Sequence, residues 1–240
     1  MKIFQSKQLV GLLLALPMWA GTTMALASGN DDPLLSKVMI DQLEVRNTDG
    51  PDPVVLDGQA WIGYDLNKLW IKTDATRVDG ATEDAELQAL YSKAIAPFWD
   101  VQMGVRRDFL PKPSRNWLVL GVQGLSPYFF DVDTAVFLGE SGRSAFRFKA
   151  EYEMLFTQRL ILTPEVTVNL YGRNDPDTGT GSGLADTEIG LRLRYEIQRK
   201  IAPYIGVNWN RKYGNTADYA RAAGEDTQDN QWVIGLRAWF

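Results

Sequence analysis

The 240-residue sequence contains no cysteine and no histidine. Without cysteine there is neither a disulfide framework nor a thiolate nucleophile. Without histidine there is no imidazole base for a Ser-His-Asp hydrolase, and the commonest protein ligand for transition metals is missing. Long apolar runs are scarce as well: beyond Ala20 none reaches the ~20 residues that a bilayer-spanning helix needs, which excludes a helical membrane protein. Basic residues are outnumbered, with 25 Lys and Arg against 30 Asp and Glu. Nucleic acid is therefore not an expected partner, because its binding rests on clustered positive charge.

What the N-terminus does contain is an address. Lys2 and Lys7 precede the apolar run Leu9 to Ala20, and Ala25-Leu26-Ala27 is a small-x-small cleavage site, so residues 1–27 read as a secretory signal peptide and the mature chain starts at Ser28. A single transmembrane anchor is the competing reading, but the run is short and Pro17 interrupts it. Residues 28–37 form a short polar periplasmic lead-in, and residues 38–240 carry the fold.

From Val38 onward the pattern has period 2, the signature of strands with one apolar and one polar face. In Ser144 to Phe156 the residues Phe146, Phe148, Ala150, Tyr152, Met154 and Phe156 share one face; Arg147, Lys149, Glu151 and Glu153 share the other. Ala185, Thr187, Ile189, Leu191, Leu193, Tyr195 and Ile197 alternate with Asp186, Glu188, Arg192, Arg194 and Glu196. Leu160, Leu162, Val166, Val168 and Leu170 alternate with Thr163, Glu165, Thr167 and Asn169, and Trp99, Val101, Met103, Val105 and Phe109 with Asp100, Gln102, Arg106 and Asp108. Between Val38 and Val45, Asp41 breaks the parity and the face is open. A soluble sandwich would turn the charged face to water, whereas a membrane barrel turns it to the lumen. Alternation alone does not choose.

Connections do. Longer ones are expected at Asn47 to Pro53, Asp79 to Glu83, Leu110 to Arg115, Gly139 to Arg143, Arg173 to Ser182 and Gly214 to Asp229, all rich in turn formers. Tight turns are expected near Leu66-Asn67, Ala96-Pro97, Ser126-Pro127, Gln158-Arg159 and Gln198 to Lys200. Six loops and five turns join about twelve strands, and the alternation of short and long connections is the outer-membrane pattern. Trp232, Ile234, Leu236, Ala238 and Phe240 alternate to the last residue, a strand end that barrel-insertion machinery would read. Trp70, Trp99, Trp117, Tyr128, Phe129, Tyr171, Tyr204 and Trp209 fit interfacial aromatic girdles, with core packing as the plainer alternative. The expected fold is an all-β, transmembrane, up-and-down antiparallel β-barrel in the cell outer membrane, with lipid as its surroundings; a lipocalin-like barrel or a sandwich is the alternative.

The expected lumen-facing charges are Arg106, Asp108, Arg147, Lys149, Glu151, Glu153, Glu188, Arg192, Arg194 and Glu196. Paired carboxylates such as Glu151 with Glu153 and Asp131 with Asp133 could act as acid and base. Arg147 and Lys149 lie at similar spacing, however, so a neutralised lumen network is preferred and no enzyme is expected. Asp175, Asp177 and Thr178, and Glu225, Asp226 and Asp229, offer oxygen ligands for calcium without the spacing of a calcium loop, so solvated loop tips are preferred. Gly179, Gly181 and Gly183 precede a strand rather than the helix a phosphate cradle requires.

Several stretches resemble the copper resistance protein B family of outer-membrane proteins. They include Leu66-Asn67-Lys68-Leu69-Trp70, Glu86-Leu87-Gln88-Ala89-Leu90-Tyr91-Ser92, Ala96-Pro97-Phe98-Trp99-Asp100, Gly121-Val122-Gln123-Gly124-Leu125 and Thr157-Gln158-Arg159-Leu160. Asn169-Leu170-Tyr171-Gly172, Gly190 to Ile197 and Ala202-Pro203-Tyr204-Ile205-Gly206-Val207 continue it. The resemblance implies a role in copper resistance or homeostasis, a copper ion as the implied ligand, and a periplasmic copper protein as partner. Members of the family carry a Met- and His-rich periplasmic segment; here residues 28–37 hold neither residue. After the signal only Met39, Met103 and Met154 offer soft donors, on different strands and with Met103 and Met154 on the lipid parity. No cofactor is therefore expected to be required, and two functions stay open: a copper-linked barrel, or a general small-solute pore or structural barrel.

Overall fold

The computed structural model describes residues 32–198 and 200–240; the signal peptide expected over residues 1–27 lies outside the described residues. Twelve strands follow one another: β1 Leu35–Asn47, β2 Val54–Gly63, β3 Asn67–Val78, β4 Ala81–Ala96, β5 Trp99–Leu110 and β6 Arg115–Leu125. They continue with β7 Phe130–Gly139, β8 Ser144–Tyr152 and its continuation Met154–Leu155, β9 Leu160–Tyr171, β10 Gly183–Tyr195, β11 Ile201–Lys212 and β12 Gln228–Trp239. Each is antiparallel to the next, and β12 pairs with β1 to close the ring. Closure leaves no strand edge unpaired, the condition for β structure in a bilayer.

The alternation sorts side chains by wall. Leu118, Leu120, Ile205, Ile234 and Trp232 stand exposed on the outside. Gln102, Arg106, Arg192 and Glu44 are buried inside. A continuous apolar exterior of this kind is a lipid surface, not a soluble one. Strand β1 explains the broken parity around Asp41: Ile40 pairs with Gly58 and Gln42 with Asp57, so Asp41 is the extra residue of a β-bulge. Asp41 and Gln42 consequently both line the lumen, and the charges after them, Glu44 and Arg46, are set inward.

Three expectations are corrected. The loop expected over Asp79 to Glu83 is a two-residue turn, Asp79-Gly80, with both residues at positive φ (49° and 81°), the backbone that the right-handed twist of a hairpin favours. The loop expected over Gly214 to Asp229 contains a helix, α1 Gly214–Ala223, whose Ala-rich run favours helix and whose end is capped by Gly224 at φ 81°. Ala185, expected on the lipid face, is fully buried, because the β9–β10 register shifts next to it, from Asn169 with Asp186 to Leu170 with Leu184.

Candidate functional site: a charged lumen

The interior of the barrel holds a cavity of about 800 Å³. Of the expected lumen charges, Arg106, Arg147, Lys149, Glu151, Glu188, Arg192 and Arg194 line it. Asp108 lines a second cavity above, while Glu153 and Glu196 lie 2.7 and 3.9 Å from Arg194. The structure brings these groups together through partners that sequence spacing did not suggest. Arg147 and Lys149 make their salt bridges with Glu86, Asp57 and Glu165 rather than with Glu151 and Glu153 on their own strand. They reach across the lumen, to Glu86 and to Asp57, although i, i+2 pairs do bond on other strands, as Arg46 with Glu44 and Arg106 with Asp108.

Glu86 on β4 is one hub. Arg147 from β8, four strands away, donates from Nη1 and Nη2 to its two oxygens at 3.1 and 3.0 Å. Arg106 Nη2 lies 2.8 Å from Glu86 Oε2, and Gln88 Nε2 donates to Oε1 at 2.6 Å. Arg106 also donates to Asp108, which accepts a further bond from Trp117 Nε1 at 2.8 Å. Both guanidiniums stack on Phe137, at 4.7 and 5.6 Å from the ring centre, which stabilises a partly desolvated cation.

Glu44 on β1 is the other hub. Arg192 from β10 donates Nε and Nη2 to its two oxygens at 2.9 Å each, Arg46 Nε donates at 2.7 Å, and Tyr204 OH donates at 2.8 Å. With all its lone-pair directions occupied, this carboxylate tolerates being 1% exposed. The bulge hides its face in the sequence; the signal that marks it is Glu44 and Arg46 at i, i+2 beyond the parity break at Asp41.

Two lysines act as crossbars. Lys72 on β3 donates to Asp133 on β7 at 2.6 Å and to Gln102 and Gln123 at 3.0 Å. Lys149 on β8 donates to Asp57 on β2 at 2.9 Å. Five strands lie between β2 and β8 on either side of the ring, so this pair marks a diameter: one lysine and one aspartate together bridge the lumen. Glu165 stands 3.3 Å from the same ammonium. At the β12 side Arg237 faces Asp41, Glu151 and Glu153 at 3.4 to 3.6 Å.

Aromatic residues expected in the girdles divide differently. Tyr128, Phe129 and Trp209 are exposed, but Trp70, Trp117 and Tyr204 are buried inside the barrel and Tyr171 lines the cavity. Trp70 shares its parity with Lys72, and with Leu90, Trp117, Val119, Phe137 and Ala145 it forms an apolar wall opposite the Glu44 hub. Ring size says nothing about side; parity does.

The methionines diverge. Met39 lines the lumen, whereas Met103 and Met154 are 54% and 41% exposed on the outer wall. Among the described residues no group of three or more carboxylates is arranged to hold a metal ion. Asp175, expected at a solvated loop tip, is instead 7% exposed: Arg115 Nε and Nη2 donate to it at 2.9 and 3.0 Å and Arg143 Nε at 3.0 Å. The hydrogen bonds from Arg115 hold its carboxyl below the usual carboxylate range. Glu225 accepts from Lys212 and Asp229 from Gln231.

A closed twelve-stranded ring with an apolar exterior and an ionic interior is an outer-membrane β-barrel, and solved structures of that class share its architecture. The NanC porin aligns with a TM-score of 0.57 at 14% identity, covering 85% of this chain and 99% of the porin. The KdgM porin aligns with a TM-score of 0.51 at 10% identity, covering 86% and 99%. Sequence comparison goes further. Residues 34–240 match the family model described as "Copper resistance protein B precursor". The Copper resistance protein B homolog of Pseudomonas syringae pv. tomato is 44% identical over 211 residues, 88% of this chain and 72% of that protein. The Copper resistance protein B of Escherichia coli is 43% identical over the same length, 88% of this chain and 71% of that protein. The chain belongs to the copper resistance protein B family and resides in the outer membrane.

Proposed function

We propose that this barrel is a restrictive conduit of a copper resistance system: it passes small hydrated ions through a lumen narrowed by ionic crossbars and exchanges copper with a periplasmic partner rather than storing it. The observation that carries this reading is the diametric pair Lys149–Asp57 inside a cavity of about 800 Å³. A lumen packed with apolar side chains would be a plug, whereas charged walls stabilise a hydrated ion at a depth where bare lipid would not. The family supports copper as the ion concerned, and the porin likeness supports conduction. The donor set supports passage over retention: one inward thioether, Met39, packs against the apolar cluster around Trp70 and Leu90, and copper in a tight site favours several soft or imidazole ligands. No reaction is assigned to the lumen, where Glu151 and Glu153 face Arg237.

Conductance of the purified protein in a planar bilayer tests the conduit, and copper sensitivity of a deletion strain tests the copper role. Lys149→Ala is expected to raise conductance several-fold and to restore resistance differently from the wild type. A deletion strain with unchanged copper sensitivity, together with measurable conductance, would leave a general small-solute pore. A barrel that carries no current even as Lys149→Ala would overturn the conduit.

A further inference from the structure

Two loops close over the extracellular mouth and hold each other. In Gly172–Ser182, between β9 and β10, Asp175 N donates to Thr180 O at 2.7 Å and Thr180 N returns a bond to Asp175 O at 3.0 Å, which pins the segment into a compact turn. This turn docks on α1: Gly181 N donates to Thr216 Oγ1 at 2.8 Å, and Asn215 Nδ2 donates to Asn174 Oδ1 at 3.0 Å. The approach is so close that a Cβ on Gly181 would collide with the Thr216 backbone. Arg173 Nη1 donates to Ser141 O at 3.1 Å on the neighbouring loop. Beneath the two loops lies a cavity of about 340 Å³, with Asp84, Arg106 and Asp108 from the barrel wall below and Thr178, Thr180 and Tyr219 from the loops above. The loops therefore roof the lumen rather than standing beside it.

We propose that the segment Gly172–Ser182 is a lid, latched by Asp175 onto Arg115 and Arg143, that sets the size limit for entry into the lumen from outside. The proposal rests on the conduit reading and concerns what that conduit admits. The latch joins a loop to the barrel rim: Arg115 is the first residue of β6 and Arg143 immediately precedes β8. Its three hydrogen bonds are charge-assisted and shielded by the loop itself. Other charged groups at hand are Asp177, 3.7 Å from Arg115, and Glu140, whose carbonyl accepts from Arg143. Asp177 shares Arg115 but at 3.7 Å against 2.9 Å for Asp175, and the lowered carboxyl value of Asp175 keeps the latch ionised at neutral pH. Among the described residues the lid is otherwise tied by neutral hydrogen bonds to α1 and from Gly172 N to Ser144 O, by Arg173, and by the longer Asp177–Arg115 pair, so loss of Asp175 removes its strongest hold on the rim.

The chain contains no cysteine, so a thiol introduced as Asp84→Cys beneath the lid is unique. Cells displaying the full chain are treated from outside with a small methanethiosulfonate or a bulky dye-maleimide. With Asp175 present, the small reagent should react and the bulky one should be excluded. Adding Asp175→Asn should speed the bulky reagent by about tenfold or more, as the loss of charge-assisted hydrogen bonds implies. Asp175→Glu should restore exclusion in part. Equal reaction of the bulky reagent with and without Asp175, or equal exclusion, would overturn the lid. Different migration of boiled and unboiled protein confirms that each variant closes its barrel; if Asp175→Asn fails that check, Arg143→Gln carries the same comparison. Labelling reads the lid even if the lumen carries no current, so failure of the conduit and failure of the lid are separate results.

Discussion

The lumen and the mouth solve the same electrostatic problem with different scaffolds. At mid-lumen, Glu44 and Glu86 are gripped by arginines whose both ends are fixed on hydrogen-bonded strands. At the mouth, Asp175 is gripped as firmly, yet one end of the pair sits on a loop. Opening a strand-anchored pair requires distorting the barrel, whereas opening a loop-anchored pair requires only that the loop swing. The first arrangement sets a permanent width, and the second can vary with conditions.

The sharpest way to break this comparison is to remove the anchors. Glu44→Ala leaves Arg192, Arg46 and Tyr204 without their shared acceptor and is expected to cost ~3–5 kcal/mol, the range for an uncompensated buried partner. The unfolding midpoint in detergent, followed by heat-dependent migration, should fall accordingly. Asp175→Ala should leave the same midpoint nearly in place, because the lid can open without the barrel. Equal losses would mean that the lid is part of the barrel's cooperative unit.

A second contrast concerns the two faces of β8. Ala150→Arg places a charge on the lipid face and should cost ~2–4 kcal/mol near mid-bilayer, which reduced insertion into vesicles would reveal. Glu151→Gln should assemble normally. The reverse pattern would invert the wall assignment.

Acid separates mouth from lumen more gently. Because the carboxyl of Asp175 is lowered by Arg115, its contribution is complete above the ordinary carboxylate value of about 4 and is lost as pH falls through its lower folded value. The ratio of bulky to small reagent labelling, which cancels the falling thiolate fraction of the introduced cysteine, should therefore be flat from neutral pH down to about 4 and rise only below it. An increase near neutrality would assign the latch to another group.

The smallest expected effect is on copper content. After incubation with copper and dialysis, the purified protein should retain no stoichiometric metal, and changing Met39, Met103 and Met154 together to Leu should alter nothing. One copper per chain that the triple change removes would show that the thioethers converge.

Much of the architecture was legible in sequence. The parity of Ser144 to Phe156 placed Arg147 and Lys149 opposite Phe146 and Phe148, because period-2 geometry is local and needs no knowledge of the partner strand. What stayed hidden depends on register or on closure. Glu44 was lost behind a single bulged residue, Asp41, which reverses parity downstream. Trp70 and Trp117 were assigned by residue type to girdles, although parity with Lys72 and with Arg115 pointed inward. The pairings of Lys149 with Asp57, 92 residues apart, and of Arg192 with Glu44, 148 apart, exist only once the ring is closed, so no sequence window contains them. Helix α1 lies in a segment read only as a loop, because Gly214, Asn215, Gly224 and Asp226 frame its short Ala-rich run with turn formers.

The seam between β1 and β12 has a kinetic consequence. Val38 and Phe240 exchange both backbone hydrogen bonds, at 3.0 and 2.9 Å, so the two strands furthest apart along the chain are the ones that complete the ring. Every other strand pairing is a hairpin between sequence neighbours and can zip sequentially with small loop-closure entropy. The final pairing spans the greatest sequence separation of any in the ring and so carries the largest loop-closure cost. Until it forms, an eleven-pair intermediate exposes two sticky edges, and any chain stalled there is a template for aggregation rather than a narrower pore.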